Sequence, residues 1–275
     1  MKYPVFIPFV SDEDISYVTK SLKDGWISSN GPYVNEFESS FAEYLGTQYA
    51  TTVCNGTSAL EVALASLGIS SGEVILPSFT IASCAYAIQR VGATPVFVDV
   101  DPIYFCLNPQ EVEKHITNQT KCIMLVNMYG NTCDVDSFLD LQQKYKLPIV
   151  EDCSENLGGA YKNFKSGTQF DVSTFSLYAN KTITSGEGGV VCTSSKNCIE
   201  KARRYKNLDF PSSRSFIHLN QAFNYRMASP LAALATSQLN RIDEILYEKN
   251  RVFFSYKEFI NSDFLTPLAL RPETT

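Results

Sequence analysis

The sequence predicts an α/β fold: a mainly parallel sheet covered by helices on both faces. Three observations carry the prediction. From residue 50 onward short β-rich runs alternate with helical stretches, the alternation that builds parallel sheets. Polar turns such as "CNGTS", "LPSFT", "VNMYGN" and "VEDCSEN" follow those runs, at the strand ends where open sheets collect ligands. And 275 residues, 44% of them apolar, suffice for a continuous core.

Taken in order, Ser11 and Asp14 make a capping box that opens a helix, and Gly25 offers its stop. In "VNEFESSFAEYLG", Phe37, Phe41 and Leu45 recur every four residues and Gly46 ends the pattern, so a second helix also precedes the sheet. Strand-like "ATTVCN", "VILP", "PVFVDV", "KCIMLVN" and "PIVED" then alternate with helical "TSALEVALASLG", "TIASCAYAIQRVG" and "DSFLDLQQKYK". "FDVSTFSLY" supplies a further strand. Beyond residue 194 the chain turns helical and more charged, and "MASPLAALATSQLNRIDEILYEKNRVFFSYKEF" predicts one long helix with its interruption near Pro230.

Composition narrows the function classes. The net charge of -6 is spread along the chain without a Lys/Arg cluster, which points away from nucleic acid and acidic membranes and toward a small-molecule partner. The opening "MKYPVFIPFVSDED" matches neither a signal nor a transit peptide, so a cytoplasmic enzyme is expected. The eight cysteines contain no C-x-x-C pair and are expected to be mostly buried thiols. His115 and His218 lie far apart, without the spacing of a metal site. No Walker A loop and no G-x-G-x-x-G run occurs.

Four places carry chemistry. Gly56, Thr57 and Ser58 stand where a strand gives way to a helix; free N–H groups and the helix dipole make that junction a phosphate site, or else an ordinary helix start capped by Asn55 or Thr57. Asp152 ends an apolar strand, where its carboxylate either keeps a heterocyclic nitrogen protonated or caps the next segment; Glu155 either reaches the same ligand or completes the cap. Ser176 closes the next strand. Lys181 then sits alone between that strand and "SGEGG"; a single lysine is most often a solvated group, but the order phosphate turn, aspartate, serine, lysine fits pyridoxal phosphate, with Lys181 as Schiff-base lysine.

The motifs "GWISSNGPYVNEFE", "CNGTSALEVALASLGI", "EVILPSFT", "GATPVFVDVDP", "EDCSEN", "STFSLYANKTITSGEGG", "FNYRM" and "AALATSQLNRIDE" together resemble the DegT/DnrJ/EryC1/StrS family of sugar aminotransferases, along essentially the whole chain. The resemblance implies aspartate-aminotransferase fold type I with a seven-stranded sheet. It implies pyridoxal 5'-phosphate joined to Lys181, with Asp152 on the pyridine nitrogen, Glu155 near the phenolic oxygen, and Thr57, Ser58 and Ser176 at the phosphate. Asn224 corresponds to an asparagine that reaches the phosphate of the neighbouring subunit, which implies a homodimer with shared sites. Ile81 stands where many members place an aromatic ring over the cofactor. The substrates implied are L-glutamate and a nucleotide-linked 4-keto-6-deoxysugar, GDP-linked by the resemblance of Glu155, "WISSNG" and "NKTITSGEGG". Residues 1–235 are expected to form the cofactor-binding large domain and residues 236–275 the start of an incomplete small domain. Two competing expectations are a truncated, non-catalytic partner subunit and a dehydratase; dehydratase members of the family carry histidine where this chain has Lys181.

Overall fold

The computed structural model describes Pro4 and residues 6–211, 216–260 and 265–275. Two helices come first, α1 (Asp12–Lys23) and α2 (Pro32–Leu45). At α1 the Asp14 N–H donates to the Ser11 hydroxyl at 3.2 Å and the Ser11 N–H to the Asp14 carboxylate at 2.9 Å, the reciprocal pair that satisfies two free donors of the first turn. Gly46 ends α2 in the left-handed conformation, φ 85°, which costs glycine little.

The central part contains β1 (Tyr49–Val53), α3 (Gly56–Ser66), β2 (Glu73–Pro77), α4 (Ser83–Arg90), β3 (Thr94–Val98), α5 (Pro109–His115), β4 (Thr120–Val126), α6 (Val135–Tyr145) and β5 (Ile149–Asp152). A small hairpin of β6 (Ala160–Tyr161) and β7 (Phe164–Lys165) precedes β8 (Val172–Ser176) and β9 (Gly189–Thr193), and α7 (Lys196–Tyr205), α8 (Ser229–Asn240) and α9 (Ile242–Phe259) follow. Seven strands form one sheet in the order β1-β9-β8-β5-β4-β2-β3. All its pairings are parallel except those of β9, which runs antiparallel to both β1 and β8.

Both faces of the sheet are covered, which is why its inner strands are apolar at successive positions. In β4, Cys122, Met124 and Val126 join one core beneath α3 and α4, while Ile123 and Leu125 join another with Phe138 and Leu141 of α6. A third core ties α2 and α8 to the other end: Phe41 packs edge-on against Phe37 at 5.6 Å and Phe175 at 5.1 Å between ring centres.

The long helix expected over residues 227–259 is in fact two. Pro230 does not interrupt it; the proline lies in the first turn of α8, where its missing N–H leaves no helical bond unmade. The break falls at Arg241, whose backbone leaves helical geometry (φ -111°, ψ 18°) as its guanidinium donates to the fully buried Asp14 at 2.9 Å. No helix among the described residues is long and apolar enough to cross a membrane.

Candidate active site

The strand register brings distant segments to one edge of the sheet. Val53 pairs with Gly189, Gly189 with Ser176, and Thr174 with Asp152, so the turns leaving β1, β5 and β8 open side by side. Two glycines permit the approach: a Cβ on Gly56 would stand 2.9 Å from Ser176 Cβ, and one on Gly189 would stand 2.5 Å from the Asn55 carbonyl oxygen. Between these turns lies a cavity of about 440 Å³, and Gly56, Thr57, Ile81, Asp152, Glu155, Ser176 and Lys181 line it.

At the β1 end, Asn55 caps α3: its side-chain oxygen accepts the Ser58 N–H at 2.8 Å and its carbonyl the Ala59 N–H at 3.1 Å. The first two helical N–H groups, of Gly56 and Thr57, have no carbonyl within the helix to reach and stand at the cavity wall. The Thr57 hydroxyl donates to Ser83 at 3.0 Å, adding two hydroxyls to that wall. Ser58 does not line the cavity; it is buried beneath it, its hydroxyl 3.2 Å from Cys54 Sγ.

Asp152 is 2% exposed, and its Oδ1 accepts the Ser154 N–H at 3.0 Å. A turn, not a helix, follows it, so that bond caps a turn. Among the described residues its Oδ2 is met by the Cys84 thiol, donating at 3.5 Å. Burial pushes the Asp152 carboxyl above the usual aspartate range, although the Ser154 hydrogen bonds and the Lys181 charge pull the other way. Burial beside that carboxylate also raises Cys84, which stays a thiol.

Lys181 lies in the connection from β8 to β9, its N–H bonded to the Tyr178 carbonyl at 3.0 Å. Its side chain is 18% exposed, and Nζ lies 3.3 Å from Glu155 Oε1. The other oxygen of Glu155 accepts the Tyr129 N–H at 3.3 Å. Tyr129 holds a left-handed φ of 54°, a conformation costly for an aromatic residue and frequent at functional sites. Ile81 is an exposed rim residue. Asn224 is elsewhere: it is exposed, accepts the Arg226 Nε–H at 2.9 Å and pairs with Asn207.

Ser83, Cys84, Ser154, Tyr178, Asn180 and Glu187 complete the surroundings and went unnoticed in the sequence. Ser154 and Asn180 adjoin residues already singled out, which was a usable signal. Cys84 lies far along the chain from Asp152, and nothing in "IASCAY" announces the contact. Among the described residues no group of three or more His, Cys, Asp or Glu side chains is placed to hold a metal ion.

The donor set fits pyridoxal phosphate. A buried carboxylate with no cation in hydrogen-bond contact among the described residues suits a protonated ring nitrogen, the Gly56 and Thr57 N–H groups with the Thr57, Ser83 and Ser176 hydroxyls suit a phosphate, and a half-buried amine at Lys181 suits an aldehyde.

Comparison with known proteins agrees. The model of the DegT/DnrJ/EryC1/StrS aminotransferase family matches residues 8–273. The chain is 42% identical over 264 residues to the GDP-perosamine synthase of Escherichia coli O157:H7, covering 95% of this chain and 72% of that protein. It is 40% identical over 255 residues to the GDP-perosamine synthase of Vibrio cholerae, covering 92% of this chain and 70% of that protein. The crystal structure of 3-amino-5-hydroxybenzoic acid synthase superposes with a TM-score of 0.93 at 30% identity, covering 98% of this chain and 72% of that one. The chain belongs to the DegT/DnrJ/EryC1/StrS aminotransferase family, and its enzyme class is that of the pyridoxal-phosphate-dependent aminotransferases.

Proposed function

We propose that this chain moves an amino group from L-glutamate to the 4-keto carbon of a nucleotide-linked 4-keto-6-deoxysugar, with GDP as the nucleotide, to give a 4-amino sugar for glycan synthesis. The working unit proposed is a cytoplasmic homodimer with Asn224 of each subunit serving the other's site. The observation that carries the reading is the convergence of Lys181, Glu155 and the buried Asp152 on one cavity next to a helix start rich in free donors. Its supports for the sugar are the similarity to two GDP-perosamine synthases and the presence of lysine, not histidine, at residue 181.

When bound, pyridoxal phosphate supplies an electrophilic carbonyl for amines and a conjugated ring that accepts the electron pair left by a departing α-proton. The chain supplies the rest. Gly56 and Thr57 N–H groups with the neighbouring hydroxyls hold the phosphate end, and Asp152, kept dry beneath the sheet edge, holds a proton on the ring nitrogen. Lys181 Nζ would carry the proton between substrate carbon and cofactor, and Glu155, which accepts the Tyr129 N–H, holds that amine in place.

The test is to load the purified chain with pyridoxal phosphate, reduce with borohydride and map the modified residue by mass spectrometry, then assay GDP-4-keto-6-deoxymannose with L-glutamate. Label on Lys181, absent from Lys181→Ala, together with an aminated sugar is the expected outcome. Label spread over other lysines removes the assignment of Lys181. A product that has lost water without gaining an amine makes the chain a dehydratase.

A further inference from the structure

Two more cavities meet the cofactor cavity at Lys181. One, about 360 Å³, shares Ser154, Glu155, Asn180 and Lys181 with it; the other, about 620 Å³ and walled mostly by apolar groups, reaches Lys181 from the side of Phe6 and Phe9. The two have three residues in common: Lys181, Thr182 and Lys249. Lys249 projects from the middle of α9, so it stands in the wall between both spaces while its ammonium lies 5.6 Å from the centre of the Phe6 ring.

Among the described residues the other cations around it are paired, whereas Glu244, on the wall of the larger cavity, has no ion-pair partner. Lys181 pairs with Glu155 at 3.3 Å, Arg241 with Asp14 at 2.9 Å, and Glu248 with Arg251 at 2.8 Å. Lys249 alone among the described cations lining these cavities has no carboxylate within 4.0 Å. Lys249 is an exposed residue whose ammonium is only partly desolvated, which lowers it below the ordinary lysine value. A partly desolvated cation at the edge of a largely apolar cavity, without a carboxylate partner, gains from an anion that arrives with the ligand.

We propose that Lys249 is a specificity residue that receives the anionic group of an incoming substrate beside Lys181. The inference rests on the aminotransferase reading for the identity of that substrate. Two substrates of that reaction bring such a group: the amino donor through its carboxylate and the nucleotide sugar through its diphosphate. A single cation serves either, and because Lys249 and Lys181 line the same two cavities, an anion held at Lys249 shares a cavity with the reacting amine.

The experiment compares wild type, Lys249→Gln and Lys249→Arg in two arms. In the first, the cofactor-loaded protein is mixed with L-glutamate and the visible spectrum is followed to give the apparent affinity of the donor half-reaction. In the second, GDP and inorganic pyrophosphate are titrated by calorimetry into the chain without cofactor. Lys249→Gln is expected to weaken one arm by about tenfold, with Lys249→Arg retaining most of the affinity and the bound cofactor's spectrum unchanged. The arm affected tells carboxylate from diphosphate. Equal affinities for wild type and Lys249→Gln in both arms overturn the proposal, and so does an equal loss in Lys249→Arg, which keeps the charge. A wild-type chain that exchanges no amine with the donor defeats the aminotransferase reading instead, and the nucleotide arm then decides Lys249 alone.

Discussion

At the scale of single residues, neighbours in sequence face opposite sides of β5 and are held differently. Asp152 looks into the cavity with Ser154 and Cys84 around it, whereas Glu151 is buried on the other side, accepting from Asn127 Nδ2 at 2.7 Å and the Gly167 N–H at 2.9 Å. Asn127 also donates its backbone N–H to the Asp152 carbonyl at 3.0 Å, so the two acids share one support. Asp152→Asn keeps the shape of the side chain and removes its charge; kcat should fall about a hundred- to a thousandfold while the cofactor still attaches at Lys181, measured by single-turnover spectroscopy. Burial raises Glu151 from 4.5 to about 7, against the pull of its hydrogen bonds. The folded chain therefore keeps a proton that the unfolded chain has lost, and this contribution to stability is complete below pH 4.5 and declines as pH rises to about 7. Denaturant unfolding of Glu151→Gln across that interval should lack the decline.

At the scale of elements, α2 is fastened to the sheet by a charge as well as by phenylalanines. Glu38 accepts from the Thr51 hydroxyl, the Thr52 N–H and hydroxyl, and Lys206 Nζ at 2.9 Å, all in a nearly dry setting. Burial by itself would raise the carboxyl, but the Lys206 charge and the Thr52 bonds outweigh it and hold Glu38 below 4.5. Its stabilising contribution is present above that pH and is lost as acid titrates the folded carboxylate. Glu38→Gln should cost about 3–5 kcal/mol at neutral pH, because Lys206 is left without its partner, and should flatten the acid limb of the stability profile; chemical denaturation at several pH values checks both. Much of this level was legible in the sequence. Ser11 with Asp14 marked the start of α1, Gly46 the end of α2, and the polar residue closing "IVED" the functional end of β5. The β6–β7 hairpin was not legible, since two residues per strand leave no periodicity to detect. Ser58 looked like part of the phosphate turn because it adjoins Thr57, but one step along a helix rotates the side chain away, toward Cys54. The Cys84 thiol under Asp152 depends on α4 crossing that strand end, which local pattern does not encode.

At the scale of the whole molecule, the chain covers its own site only in part. Ile81 at the rim is 65% exposed, and Phe79, 40% exposed, and Tyr129, 57% exposed, have ring centres 6.2 Å apart. If Asn224 of each subunit completes the other's site, mixing two inactive proteins, Lys181→Ala and Asn224→Ala, should restore part of the activity, since mixed dimers then contain one intact pair. Activity assays after remixing, with size-exclusion chromatography and light scattering for the oligomer, give the answer; no recovery in mixed dimers argues for sites built within one subunit. The reversed strand β9 has a consequence for biosynthesis. Because β1 touches β8 only through β9, the first strand to leave the ribosome has no sheet to join until residues 189–193 emerge. Coenzyme capture during translation should therefore begin late and abruptly, and nascent chains arrested before that point should present an unpaired β1 edge to chaperones.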